Sequence, residues 1–136
     1  VSNIAQGAAA LAVGQKTKDT KLKALAYSSG LTALLGITEP ALYGVNLKYK
    51  KPFLAVMIGG GVGGLIGGIF GVKRMTFAPT GLTTLPIFID PKNSVNFIWA
   101  IIGSILAFVI SYIITLIMIK HDHKLQQQIR SNKEAD

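Results

Sequence analysis

Apolar residues in this chain come in long blocks separated by short basic segments, without the alternation of a half-buried strand. Two blocks carry no charge: residues 53–72 (FLAVMIGGGVGGLIGGIFGV), over 20 positions, and residues 95–119 (VNFIWAIIGSILAFVISYIITLIMI), over 25. A helix of about 20 residues crosses a hydrocarbon core of about 30 Å, so each block predicts a transmembrane helix. Residues 1–15 (VSNIAQGAAALAVGQ) would rise only about 22 Å as a helix, which predicts a partial helix rather than a whole span. A fourth block, 24–47, is interrupted by Gly30, Gly36, Pro40 and Gly44, with Glu39 near its centre. Between the blocks lie KTKDTKLK (16–23), KYKK (48–51) and the loop 73–94, which holds three prolines; the polar tail is 120–136.

Composition supports a membrane protein. Half of the residues are hydrophobic and 15% are charged, against roughly a quarter charged in soluble domains. In a soluble fold both long blocks would need covering on every side, and the rest of the chain supplies too little material. The expected class is therefore all-α and integral to a membrane: transmembrane helices plus a broken segment carrying GITEP. The net charge of +8 sits beside the apolar blocks, as juxtamembrane loops do, so no nucleic-acid partner is expected. Without cysteine, disulfides, thiolate metal sites and a cysteine nucleophile are excluded from these residues. The apolar run that starts at Val1 reads as a piece of something longer.

The basic residues also choose between topologies for 24–47. If this block spans fully, alternation puts seven Lys/Arg on each side of the membrane. If it is re-entrant, 16–23, 48–51 and 120–133 share one face with eleven, leaving three in 73–94. Cytoplasmic loops carry the Lys/Arg excess, so a re-entrant hairpin with a cytoplasmic base is expected. Its tip, near 36–40, would expose backbone at membrane depth, which is tolerated only inside protein or along a watery cavity. Partner helices are implied.

Glu39 is the principal chemical candidate. The other five acidic residues, Asp19, Asp90, Asp122, Glu134 and Asp136, lie in loops or the tail, whereas intramembrane carboxylates mark substrate or ion paths. Thr38 adds a hydroxyl that donates and accepts, a pairing suited to a polyhydroxylated ligand. Pro40 lacks an N–H and fits the first turn of a helix, so it can start the second arm. Gln6 and Asn3 on the first block, and Tyr43 and Asn46 beyond the tip, are further candidates to line a cavity; each could equally be a helix contact or an interfacial anchor. The glycine run holds a formal G-x-G-x-x-G (Gly59, Gly61, Gly64) without a preceding strand or a following acidic residue, so its G-x-x-x-G repeats predict close helix packing instead. His121 and His123, two apart, would point to different sides of a helix. No metal or cofactor site is expected.

At GITEPALYGVNLKYKKPF (36–53) the sequence resembles the membrane-embedded enzyme IIC transport domain of the phosphoenolpyruvate-dependent sugar phosphotransferase system, glucose superfamily. The resemblance extends through SNIAQGAAALAV, KTKDTKLKALAYSSGLTALLGITEP, IGGGVGGLIGG, GLTTLP (81–86) and the last span. It is greatest to sucrose-type permeases, with trehalose and β-glucoside types close behind. It implies a multi-pass protein of the bacterial cytoplasmic membrane that takes up sucrose or another disaccharide and presents it for phosphorylation. The phosphoryl donor would be a phosphocysteine on enzyme IIB, charged by enzyme IIA, making the assembly a protein-phosphocysteine–sugar phosphotransferase and the full transport domain a homodimer. Carried over, Glu39 binds sugar hydroxyls in a supporting catalytic role, with Thr38 in the same motif. The chain would be the carboxy-terminal part of such a domain. The IIB cysteine is absent, and the transport-domain histidine of relatives would lie upstream of Val1; His121 and His123, beyond the last span, do not replace it. An ion-coupled transporter with Glu39 as proton or cation site, and a membrane scaffold without a sugar site, are the competing readings.

Overall fold

The computed structural model describes residues 1–73, 81–89, 94–122 and 127. Helix α1 spans Ser2–Lys16, α2 Thr20–Leu34 and the short α3 Glu39–Ala41, which runs into a π-helical turn, Leu42–Asn46. Helix α4 is Lys51–Ile69, a 3₁₀ segment covers Leu82–Phe88, and α5 is Val95–His121. Among the described residues, α4 and α5 are the two helices long and apolar enough to cross a membrane.

Charge misplaces the helix ends. Lysine is a good helix former and its stem tolerates an apolar surround, so α2 starts at Thr20, before Lys21 and Lys23, and α4 starts at Lys51. Asp19 fixes the first of these ends by accepting a hydrogen bond from Lys21 N–H at 2.9 Å, as N-cap carboxylates do. Pro52 occupies the first turn of α4, where its missing N–H costs nothing. Helix α5 runs through Lys120 to His121, and Lys51 forms an ion pair with Asp122 that joins the start of α4 to the end of α5. His123 lies outside the described residues.

Helix α1 is the centre, packed on α2, α4 and α5. It can touch all three because its buried positions are mostly small: Ala5, Gly7, Ala8, Ala9, Ala10, Ala12 and Gly14. Gly7 meets Gly30 of α2 so closely that a Cβ on Gly7 would lie 2.8 Å from the Gly30 carbonyl oxygen. The α4–α5 seam follows the same rule. A Cβ on Gly59 would lie 2.8 Å from Ser111 Cβ, and one on Gly63 would lie 2.8 Å from Ala107 Cβ. These two glycines, four apart, face Gly103, Ala107 and Ser111, also spaced by four, which is a small-residue helix contact. Gly61, Gly64 and Gly68 meet nothing within 4 Å.

Helix α5 is inverted relative to a helix of a water-soluble core. Between residues 100 and 115 its buried face is Ala100, Gly103, Ser104, Ala107, Ser111 and Thr115, with Asn96 and Ile119 buried at its two ends, while Ile98, Ile105, Val109, Ile113 and Ile117 are exposed. The buried hydroxyls are satisfied: Ser104 donates to Ala100 O at 2.8 Å, Thr115 to Ser111 O at 2.7 Å, and Ser111 across the interface to Ala5 O at 2.8 Å. Small and hydroxylated inside, large and apolar outside, is the pattern that fits a bilayer.

Candidate functional site

The site is built where α2 ends. Ile37 N–H donates to Thr32 O at 2.9 Å and Gly36 N–H to Ala33 O at 3.0 Å, the paired bonds of a Schellman motif. That motif needs a residue of positive φ after the cap, and Gly36 supplies it at 110°. Thr38 follows as N-cap, Glu39 opens α3, and Pro40 sits in its first turn. Leu42 N–H donates to Thr38 O at 2.8 Å, which leaves the Thr38 hydroxyl outside the cap. GITEP therefore ends one helix and begins another within five residues. The chain then turns back along α2: a Cβ on Gly44 would lie 3.5 Å from Leu25 Cδ2. At the far end of this fold-back, Asp19 acts on Tyr49, whose hydroxyl is held above its ordinary pKa of 10.0, first by burial and then by the Asp19 charge.

Glu39 is exposed and Thr38 half-buried. Ile37 and Tyr43, at 59% and 68% exposure, lie open on either side of them. Among the described residues, no side chain forms an ion pair or hydrogen bond with Glu39. The turn thus offers a carboxylate, a hydroxyl, an aliphatic side chain and an aromatic ring to something outside these residues. A cavity of about 400 Å³ lies elsewhere, lined by Asn3, Gly63, Gly67, Trp99, Gly103 and Ser104 among others, and neither Thr38 nor Glu39 reaches it. Asn3 is thereby placed at a cavity wall.

Gln6 and Asn46 are brought together. The turn Leu42–Asn46 is closed by Leu47 N–H donating to Leu42 O at 2.8 Å, five residues back instead of four. The extra residue shifts everything after it by one position around the helix. Without that shift Asn46 would share a face with Glu39 and Tyr43; with it, Asn46 is fully buried and donates from Nδ2 to Gln6 O at 3.2 Å. The side-chain oxygens of both, Gln6 Oε1 and Asn46 Oδ1, are buried without a partner among the described residues. An unsatisfied buried acceptor costs about 1–3 kcal/mol, so each calls for a donor: a hydroxyl or a water. The sequence-predicted residues thus form two groups, Thr38–Glu39 outside and Gln6–Asn46 inside.

Sequence reading passes over one polar residue that organises the region. Asn96, in the first turn of α5, donates to Phe88 O at 2.6 Å and Lys73 O at 2.8 Å, and accepts from Lys73 N–H at 2.8 Å. A lone Asn at the start of an apolar block was the available signal, and its partners become visible only once the loop ends meet. His121 is exposed at the end of α5.

Residues 1–60 match the family model described as "Phosphotransferase system, EIIC". The chain is 44% identical over 109 residues to the PTS system beta-glucoside-specific EIIBCA component of Bacillus subtilis (strain 168), covering 79% of this chain and 17% of that protein. It is 40% identical over 114 residues to the PTS system sucrose-specific EIIBC component of Pasteurella multocida (strain Pm70), covering 84% of this chain and 24% of the relative. Identity to the sucrose-specific EIIBC component of Vibrio alginolyticus is 41% over 118 residues, 87% of this chain and 24% of the relative. No solved structure gives a significant match. The chain spans about a quarter or less of the length of these relatives. On the match of residues 1–60 and identities of 40–44% over most of its length, the chain belongs to the phosphotransferase-system EIIC family.

Proposed function

We propose that this chain is the carboxy-terminal part of a sugar permease that couples uptake across the bacterial cytoplasmic membrane to phosphorylation, and that Thr38 and Glu39 hold the sugar. The observation that carries the reading is the GITEP turn. A Schellman stop, an N-cap and a proline start are used together to present one carboxylate and one hydroxyl with no side-chain partner among the described residues. An ionised carboxylate accepts from two sugar hydroxyls, while a threonine hydroxyl both donates and accepts. Gln6 Oε1 and Asn46 Oδ1, buried and without a partner among the described residues, form a separate interior group that accepts from a hydroxyl or an ordered water.

In this reading 24–47 is a re-entrant hairpin with a cytoplasmic base, and α4 and α5 span the bilayer. The remainder of the transport domain covers Ile37, Glu39 and Tyr43 and pairs with a second copy. The sugar, oriented by Glu39, attacks the phosphorus of a phosphocysteine on the IIB domain; the sugar O–P bond forms as the S–P bond breaks, and the hydroxyl proton is lost to solvent or a base outside this chain. IIA recharges IIB. Catalysis by these residues is then largely positioning. The names of the relatives favour sucrose or a β-glucoside as the sugar.

The test is the energy source of uptake by the full-length permease in membrane vesicles. Accumulation of sugar phosphate that requires phosphoenolpyruvate and the soluble phosphotransfer proteins is the expected result. Accumulation of free sugar driven by a proton or sodium gradient would overturn the reading in favour of an ion-coupled transporter.

A further inference from the structure

The stretch GLTTLP, residues 81–86, has no reactive group suited to chemistry, yet its first residue, Gly81, sits directly against the turn that leads to Glu39. Gly81 is buried there. A Cβ at this position would overlap the Leu35 carbonyl group and lie 2.7 Å from Gly36 N, so any side chain meets backbone that cannot rotate away. The peptide it would strike carries the Gly36 N–H, which makes one of the two bonds of the Schellman stop. From Gly81 the chain enters the 3₁₀ segment through a closed turn: Thr84 Oγ1 accepts from Gly81 N–H at 2.8 Å and donates to Gly81 O at 3.1 Å. At the other end, Asn96 holds Phe88 O and both backbone groups of Lys73. That single side chain ties the 3₁₀ segment to the end of α4 and the start of α5.

We propose that residues 81–88 are a brace that sets the orientation of the Gly36–Glu39 turn on the α4–α5 pair, with Gly81 and Asn96 as positioning residues for sugar. The inference rests on the reading that Thr38 and Glu39 contact the sugar. The turn has its own rigid backbone bonding, and the fold-back beyond it packs on α1, α2 and α4, but Glu39 itself is on the exposed side. Gly81 supplies a backbone-to-backbone contact from the side, and Asn96 holds that contact to the two long helices. Sugar affinity then depends on two residues that touch no sugar.

The experiment uses the full-length permease with four variants, Gly81→Ala, Asn96→Ala, Thr83→Ala and Glu39→Gln, and measures radiolabelled sugar uptake against concentration at matched membrane abundance. Gly81→Ala should raise KM by about tenfold or more, the effect of weakening a charged hydrogen bond to the sugar by about 1.4 kcal/mol, and should lower the maximal rate as well, because Glu39 also positions the sugar for phosphorylation. Asn96→Ala, which removes three hydrogen bonds without adding bulk, should shift KM in the same direction, and the exposed Thr83→Ala should leave it unchanged. If Gly81→Ala does not accumulate in the membrane, Asn96→Ala decides by the same criterion. Wild-type KM in the accumulating variant, or a fall in maximal rate alone, would overturn the brace. Wild-type uptake by Glu39→Gln would instead overturn the sugar-site reading, so the two failures are distinguishable.

Discussion

Replacing Gly63 with alanine should weaken the α4–α5 seam, while the same replacement at Gly61, one half-turn away, should not. At Gly63 the new Cβ would lie 2.5 Å from Gly103 O, 2.8 Å from Ala107 Cβ and 3.2 Å from Val1 Cγ1. The first contact is with helix backbone, so relief requires α4 and α5 to separate locally; forcing a methyl group into a packed interface costs about 1–3 kcal/mol. Against this, alanine gains up to about 1 kcal/mol over glycine in a helix. At Gly61, where a Cβ meets nothing within 4 Å, only the gain applies. The two variants should therefore differ by about 1–3 kcal/mol, Gly61→Ala being the more stable. Thermal or denaturant unfolding of the full permease in detergent measures the gap. Equal stability within about 0.5 kcal/mol, the ordinary scatter of surface substitutions, would refute the packing of Gly63 on Gly103.

Ser111→Ala removes the bond to Ala5 O that joins α5 to α1, while Ala5 O keeps its place in the α1 helical bonding, so unfolding should be easier by about 0.5–1.5 kcal/mol. Ser104→Ala, which breaks a bond within α5 only, should cost less in the same assay. Tyr49→Phe should be neutral or stabilising at pH 7, because the buried hydroxyl it removes has no partner among the described residues. Since the folded-state pKa of Tyr49 is raised above 10.0, its contribution to stability is complete below about pH 10 and lost as pH rises through the folded value. A stability profile of Tyr49→Phe between pH 8 and 11 should lack that component of the alkaline fall; identical profiles would contradict the burial of Tyr49 beside Asp19.

Much of the fold was legible because its determinants are local. Unbroken apolar length marks α4 and α5, and Gly36 with Pro40 marks the stop and restart around Thr38–Glu39. The glycine run was readable as packing, but which glycines face α5 was not: Gly59 and Gly63 do, and Gly61 and Gly64 do not. That choice depends on helix rotation, fixed by contacts with Gly103, Ala107 and Ser111 some forty residues on. Asn46 was legible as a polar candidate and illegible in direction, since the π turn that rotates it toward Gln6 has no composition of its own. Asn96 acts on partners 8 and 23 residues away in the chain, beyond the reach of any periodicity.

The central claim, that Glu39 holds the sugar, is tested most directly by sugar binding to the purified full-length permease and its Glu39→Gln variant, measured by calorimetry. A hydrogen bond to a charged group contributes about 1.5–3 kcal/mol, so loss of the charge should weaken binding by roughly ten- to a hundredfold with the fold intact. Wild-type affinity in Glu39→Gln would contradict the account.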